Sequence, residues 1–187
     1  STLRSGEACY ESANNNSHWV IDSVLNQGNL SLYQLRSTQA RRRYSRVVGI
    51  SRELGTQKYE AEARACLGLL DLYAGDRRAA DRQYRKVRSL IDERSLSQEG
   101  FKVAWFSAFC GDDGSPAEVL RERAESYRET DTLSYLKLLW LAEISDGKGA
   151  GEPSEAVQRR LRDHGLLWFE KFADRWMRVS HGNLATA

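Results

Sequence analysis

The side chains able to act as nucleophiles, bases or metal ligands are few and scattered. Three histidines, His18, His164 and His181, and three cysteines, Cys9, Cys66 and Cys110, share no CxxC, HxxxH or HExxH spacing. A structural zinc site is therefore not expected, nor any other metal or cofactor. An odd cysteine number without close pairing is the usage of a reducing compartment rather than of a disulfide scaffold. His164-Gly165 stands where a helix should end, a place that favours a cation. Asp112-Asp113 lies in a Gly-Ser-Pro loop, where Asp serves turns and caps. The run Gly147 to Gly151 is followed by Glu-Pro-Ser and not by Lys-Ser or Lys-Thr, so it reads as a connector and not a phosphate loop. No nucleophile elbow or catalytic cysteine signature occurs, and a non-enzymatic protein is expected.

Two sets of residues with the chemistry of recognition remain. Arg41, Arg42, Arg43 and Arg46 form one basic group, and Arg78, Arg82 and Arg85, with Arg77, Lys86 and Arg88, a second. Such a face suits phosphates. The balance of 28 basic and 26 acidic residues, a formal charge of +2, demands no anionic partner. Charged residues between the apolar positions of a helix are ordinarily its solvated side, so nucleic acid is disfavoured as a partner. The other set is aromatic: Trp105, Phe106 and Phe109, then Trp140, then Trp168, Phe172 and Trp176. These suit either packing between helices or the anchors of a protein interface.

Elements that would position both sets are almost all helical. Two prolines in 187 residues and few clusters of β-branched residues argue against strands. Residues 1–16 read as a flexible polar lead-in, 17–179 as one domain, and 180–187 as a frayed tail. Helices are expected from His18 to Gln27, ended by Gly28-Asn29, and over Leu30 to Leu54 as one helix or two with a bend near Ser37-Thr38. Others follow at Tyr59 to Tyr73, Arg77 to Ile91, Gly100 to Cys110, Ala117 to Tyr127, Leu133 to Ile144, from near Glu155, and at Leu166 to Val179. No run reaches the roughly 20 apolar residues of a membrane span. No signal segment precedes the helices, and a cytoplasmic location is expected, or a periplasmic one if a leader was removed. The chain does not open on Met, as an excised or processed piece would not.

An internal period organises the helices. Ala40, Tyr44 and Val47 return as Ala80, Tyr84 and Val87, then in weaker form as Ala117, Arg121 and Ala124, and as Ala156, Arg160 and Asp163. The leading alanines lie 40, 37 and 39 residues apart. Helix pairs at that period stack side by side, because a small Ala lets two helices approach while residues four and seven further on fill the gap.

The stretch Ala61 to Asp92 resembles a tetratricopeptide repeat. Ala61-Glu62-Ala63 and Leu67-Gly68 stand in its first helix, Gly75-Asp76 in its turn, and Ala80, Tyr84 and Val87 in its second. It departs in Arg64, Asp71 and Asp92, where the family often has Trp, Tyr or Leu, and Pro. The resemblance implies an all-α, right-handed solenoid of about four irregular hairpins with a C-terminal capping helix burying Leu167, Trp168, Phe169 and Phe172. It also implies a groove lined by first helices that takes a partner protein or peptide. Glu62, Leu69, Leu72 and Tyr73 would line it, joined by Lys102, Trp105 and Phe106 and by Lys137 and Trp140. Clamping of a C-terminal carboxylate is disfavoured, since Ala65, Cys66 and Leu69 stand where the family uses Lys and Asn. Self-association through open helix faces is a further expectation, and a sensing domain of a larger transcriptional regulator is the alternative.

Overall fold

The computed structural model describes the backbone of residues 2–91, 100–111, 114–145 and 154–184, and within these the side chains from 18 to 179. Asp92, Asp112, Asp113 and the loop 146–153 lie outside the described residues, as do the side chains of Cys9 and His181. The described chain is all-helical, in the order α1 (Thr2–Tyr33), α2 (Ser37–Glu53), α3 (Gln57–Tyr73), α4 (Arg77–Leu90), α5 (Phe101–Cys110), α6 (Pro116–Tyr127), α7 (Thr132–Ser145), α8 (Glu155–Asp163) and α9 (Leu167–Leu184). No helix among the described residues is long and apolar enough to cross a membrane.

Punctuation of the helices follows the sequence at most boundaries. Ser115 and Glu118 make a reciprocal capping box at α6, with Pro116 at the first helical position. Asp76 accepts from the Ala79 N–H at 2.9 Å to open α4. Gly55, Gly75 and Gly165 end α2, α3 and α8 at φ +68°, +77° and +69°. Each is followed by a residue whose N–H reaches back to the last helical turn, as Asp76 does to Asp71 at 2.9 Å. Leu35 plays the same part after α1 at φ +56°, with Arg36 N–H bonded to Ser31 O at 2.8 Å.

Three expectations about the elements need correction. Gly28-Asn29 does not end the first helix, which runs from Thr2 to Tyr33 and so includes the expected lead-in. The reason is tertiary: a Cβ on Gly28 would stand 2.7 Å from the Tyr44 ring, and Tyr44 Oη donates to Asn29 Oδ1 at 2.9 Å. This Gly-Asn pair is a seat for α2. The third repeat keeps Ala117 and Ala124 buried but takes Leu120 in place of the exposed Arg121, and the fourth is out of register, α8 burying Val157 and Leu161 in place of Ala156, Arg160 and Asp163. Finally, α9 continues to Leu184, past Ser180.

The helices sort into two kinds. α2, α4, α6 and α8 bury only a stripe, for α2 Ala40, Tyr44, Val47 and Ser51, as surface helices do. α3, α5 and α7 are buried nearly all round; every α3 residue from Glu60 to Leu72 is buried except Glu62, which is half-buried. α3 lies at the centre, in contact with α1, α2, α4, α5 and α9. Of the departures from the tetratricopeptide pattern in α3, Asp71 is ion-paired to α2 and Arg64 to Glu60 of its own helix. Asp71 accepts from Arg41 at 2.7 Å, and Glu60 accepts from both Arg52 at 3.0 Å and Arg64 at 2.7 Å.

Candidate functional site

The inner faces of α1, α3, α5 and α7 meet a single element, α9. Spacing i, i+3, i+7 puts Phe169, Phe172 and Trp176 on one side of that helix, and all three are buried. Trp105 of α5 packs edge-on to Trp176 with ring centres 4.8 Å apart and to Phe172 at 5.9 Å. Phe109 meets Trp176 at 5.6 Å and Phe101 meets Phe169 at 5.7 Å. From α1, Tyr33 closes the near end against Trp168 at 4.6 Å and Phe172 at 5.1 Å. Edge-to-face arrangements recur because the ring faces carry negative and the edges positive partial charge.

Charge enters this apolar seam at two lysines. Lys102 Nζ donates to Glu62 Oε1 at 2.9 Å, across α5 and α3, with only 9% of the lysine side chain exposed. Burial opposes the ammonium charge, but Cys66, Glu62 and Tyr33 together outweigh it and hold the Lys102 pKa above its usual value. Lys137 Nζ stands 5.3 Å from the Phe101 ring centre and 5.8 Å from those of Trp168 and Phe169, a cation held by ring faces. Burial, then the neighbouring Lys102 charge, depresses its pKa. Cys66 lies wholly buried beside the pair, and burial pushes its thiol up to about 12; burial does the same to Cys110. Both are held as protonated thiols at neutral pH, the less reactive form. With a thiol reagent at pH 8, Cys66 and Cys110 are expected to react only after denaturant is added, at least about a hundredfold more slowly in the native chain. Rapid labelling of either, read by peptide mapping, would contradict this burial.

Of the nine residues expected to line an open groove, the structure brings Glu62, Lys102, Trp105 and Lys137 together and disperses the rest. Phe106 packs over Gly68, where a Cβ would stand 2.1 Å from the ring, and edge-on to Tyr84 at 6.1 Å. Leu69, Leu72 and Trp140 are fully buried, and Tyr73 is half-buried. As freely accessible groove residues, Leu69, Leu72, Lys102, Trp105, Phe106 and Trp140 are thus corrected: neighbouring hairpins and α9 cover them. The C-terminal helix also buries a different set from the one expected, since Leu167 and Trp168 remain 47% and 43% exposed. Tyr33 was missed altogether because it stands at the end of a helix that the sequence divides at Gly28. The Glu62–Lys102 pair had no signal in the sequence, since its spacing of 40 differs from the 37 residues that separate the second and third leading alanines.

The basic residues also separate. Arg41 is tied to Asp71, and Arg77 to Asp81 Oδ1 at 2.9 Å and Phe109 O at 2.7 Å. Arg78, Arg82 and Arg85 are exposed on α4. Arg42, Arg43 and Arg46 line one crevice between α1 and α2. Among the described residues there is no cluster of three His, Cys, Asp or Glu that could hold a metal ion. Comparison with protein families, with curated proteins and with solved structures finds no match to this chain.

Proposed function

We propose that this chain is a non-enzymatic protein-interaction module, a right-handed solenoid of irregular tetratricopeptide-like hairpins that takes an amphipathic helix of a partner protein. The observation that carries this reading is the seat of α9. An aromatic wall built by Tyr33 of α1 and Phe101, Trp105 and Phe109 of α5, flanked by α3 and α7, holds a helix through anchors at i, i+3 and i+7, which is the geometry of helix-in-groove recognition. A partner helix with the same anchor spacing would displace α9 and use Trp105, with Lys137 and Tyr33 at one end.

Two features support displacement over a permanent cap. The buried indole N–H groups of Trp105 and Trp176 have no acceptor among the described residues, and an unmet buried donor costs about 1–3 kcal/mol. A partner presenting a carbonyl or carboxylate at that point would recover this cost. α9 is also seated through one face, with Leu167 and Trp168 47% and 43% exposed, and is not enclosed all round as α3 is. As a tethered competitor at roughly millimolar effective concentration, it would weaken the apparent affinity of any partner.

A labelled peptide of residues 167–184 tests the reading when added to the full chain. Phe172→Ala with Trp176→Ala should loosen the chain's own α9 and tighten peptide binding about tenfold or more, with helicity retained. Adding Trp105→Ala should abolish that gain. Absence of peptide binding to the loosened chain, or binding indifferent to Trp105, would sink the proposal.

A further inference from the structure

We propose that the crevice between α1 and α2 binds the phosphate or polyphosphate group of a small molecule. It encloses about 460 Å³ and is lined by Val24 and Gln27 of α1 and by Gln39, Arg42, Arg43 and Arg46 of α2. That volume lies in the usual range for small-molecule sites. Gln39, Arg42, Arg43 and Arg46 follow the i, i+3, i+4, i+7 pattern, so one face of α2 turns all four toward α1.

Charge is what distinguishes this crevice from the rest of the molecule. Arg41, Arg52, Arg64, Arg77 and Arg128 each pair with a carboxylate within 3.3 Å. Among the described residues three guanidinium groups line the crevice and no carboxylate does. Arg42 and Arg46, four residues apart on one helix, repel one another, and neither has an ion-pair partner among the described residues. Arg43 is held in place: its Nη1 donates to Gln27 O at 2.8 Å and Ser31 Oγ at 2.6 Å. Its remaining N–H donors are left for a ligand, and the site is in part preorganised.

The repeat locates the missing charge. Forty residues on, the positions of Val24 and Arg43 are Arg64 and Gln83, which hydrogen-bond each other at 3.2 Å. There Glu60 neutralises Arg64 and Arg52 together. The position corresponding to Glu60 in the first unit is Val20, an exposed apolar residue. In the first unit the cation stands on the other helix of the pair, Arg43 at the position of Gln83 and Val24 at that of Arg64, and Val20 leaves it without the anion. A ligand oxyanion supplies it, and the planar guanidinium fork matches the paired oxygens of a phosphate. Val24 and the amides of Gln27 and Gln39 would contact the remainder of the molecule.

Inorganic pyrophosphate, titrated calorimetrically into the full chain at constant ionic strength, tests the site. Saturable binding at one site per chain is expected, weakened about tenfold or more by Arg42→Gln with Arg46→Gln. Both arginines are exposed and without ion-pair partners, so this variant should keep its helicity. Arg82→Gln with Arg85→Gln, on α4, should leave the affinity unchanged. No saturable binding, or equal loss in the two variants, would overturn the proposal. So would a single-stranded oligonucleotide that binds far more tightly than pyrophosphate and depends on both helices, since that marks an extended nucleic-acid surface.

Discussion

Trp105→Ala is expected to cost about 3–5 kcal/mol, the range for truncating a fully buried large aromatic side chain. Trp105 has no exposed surface and is in ring contact with Phe101, Phe172 and Trp176. Its loss leaves a void that two helices must share, while relief of its unmet indole N–H returns part of the cost. Because two of its three ring partners, Phe172 and Trp176, belong to α9, hydrogen exchange should rise in α9 before it rises in α3 or α4. Trp168→Ala is the matched control. Its ring is 43% exposed, and the expected cost is about 1 kcal/mol, including the interaction with Lys137. Denaturant melts of the two variants with exchange mass spectrometry decide the matter. Equal costs, or exchange that rises uniformly, would show that α9 is not seated on Trp105 as described.

Glu62→Gln is the second large effect, about 3 kcal/mol, because it leaves the Lys102 ammonium buried without a counter-charge. The value sits at the low end for a broken buried pair, since 21% of the Glu62 side chain reaches solvent. Its pH dependence carries a definite sign. In the native chain the Lys102 pKa lies above its usual value. That stabilisation is complete below about pH 10.5 and is lost only as pH rises through the folded value. In the variant no anion faces Lys102 below about pH 10, where Cys66 and Tyr33 are still protonated, and burial depresses its pKa. The unfolded chain then binds more protons, and stability rises with pH between about 7 and 10. The gap between native chain and variant should therefore narrow over that interval. Glu62→Leu with Lys102→Met should recover most of the loss at all pH values. A gap independent of pH, or a double variant no better than the single one, would contradict the buried pair.

The period of 40 was plain in Ala40, Tyr44 and Val47 and their counterparts in α4, and it extends further than those three positions. Gly28 and Gly68 stand one period apart, twelve residues before their alanines, and each lies under an aromatic ring. Read without that pairing, Gly28-Asn29 looks like a helix stop, which is what local conformational preference makes of it. Continuation of α1 through it depends on Tyr44, sixteen residues away, and a glycine inside a helix costs only about 1 kcal/mol against such packing. In α6 the expected register held at Ala117 and Ala124 and failed at Arg121, and in α8 it failed throughout. Arg121 and Arg160 stand where the first two units have Tyr, and the buried positions shift to Leu120 and Leu161.

The all-helical character of the chain, most helix boundaries with their caps, and the alternation of inner and outer helices were legible in the linear order of residues. These depend on interactions within a few residues or on periodicity along one helix, which a string of residues records. Closure of the fold settled the rest: that α9 occupies the aromatic wall, that Phe106 serves the hairpin stack while Trp105 serves α9, and that Arg41 is neutralised while Arg42, Arg43 and Arg46 are not. Neighbouring residues on α2 point about 100° apart, so one arginine meets Asp71 and its neighbours face an open crevice. Which apolar and charged groups find partners is fixed by helices that the chain brings together over tens of residues, and spacing along the sequence carries no record of that closure.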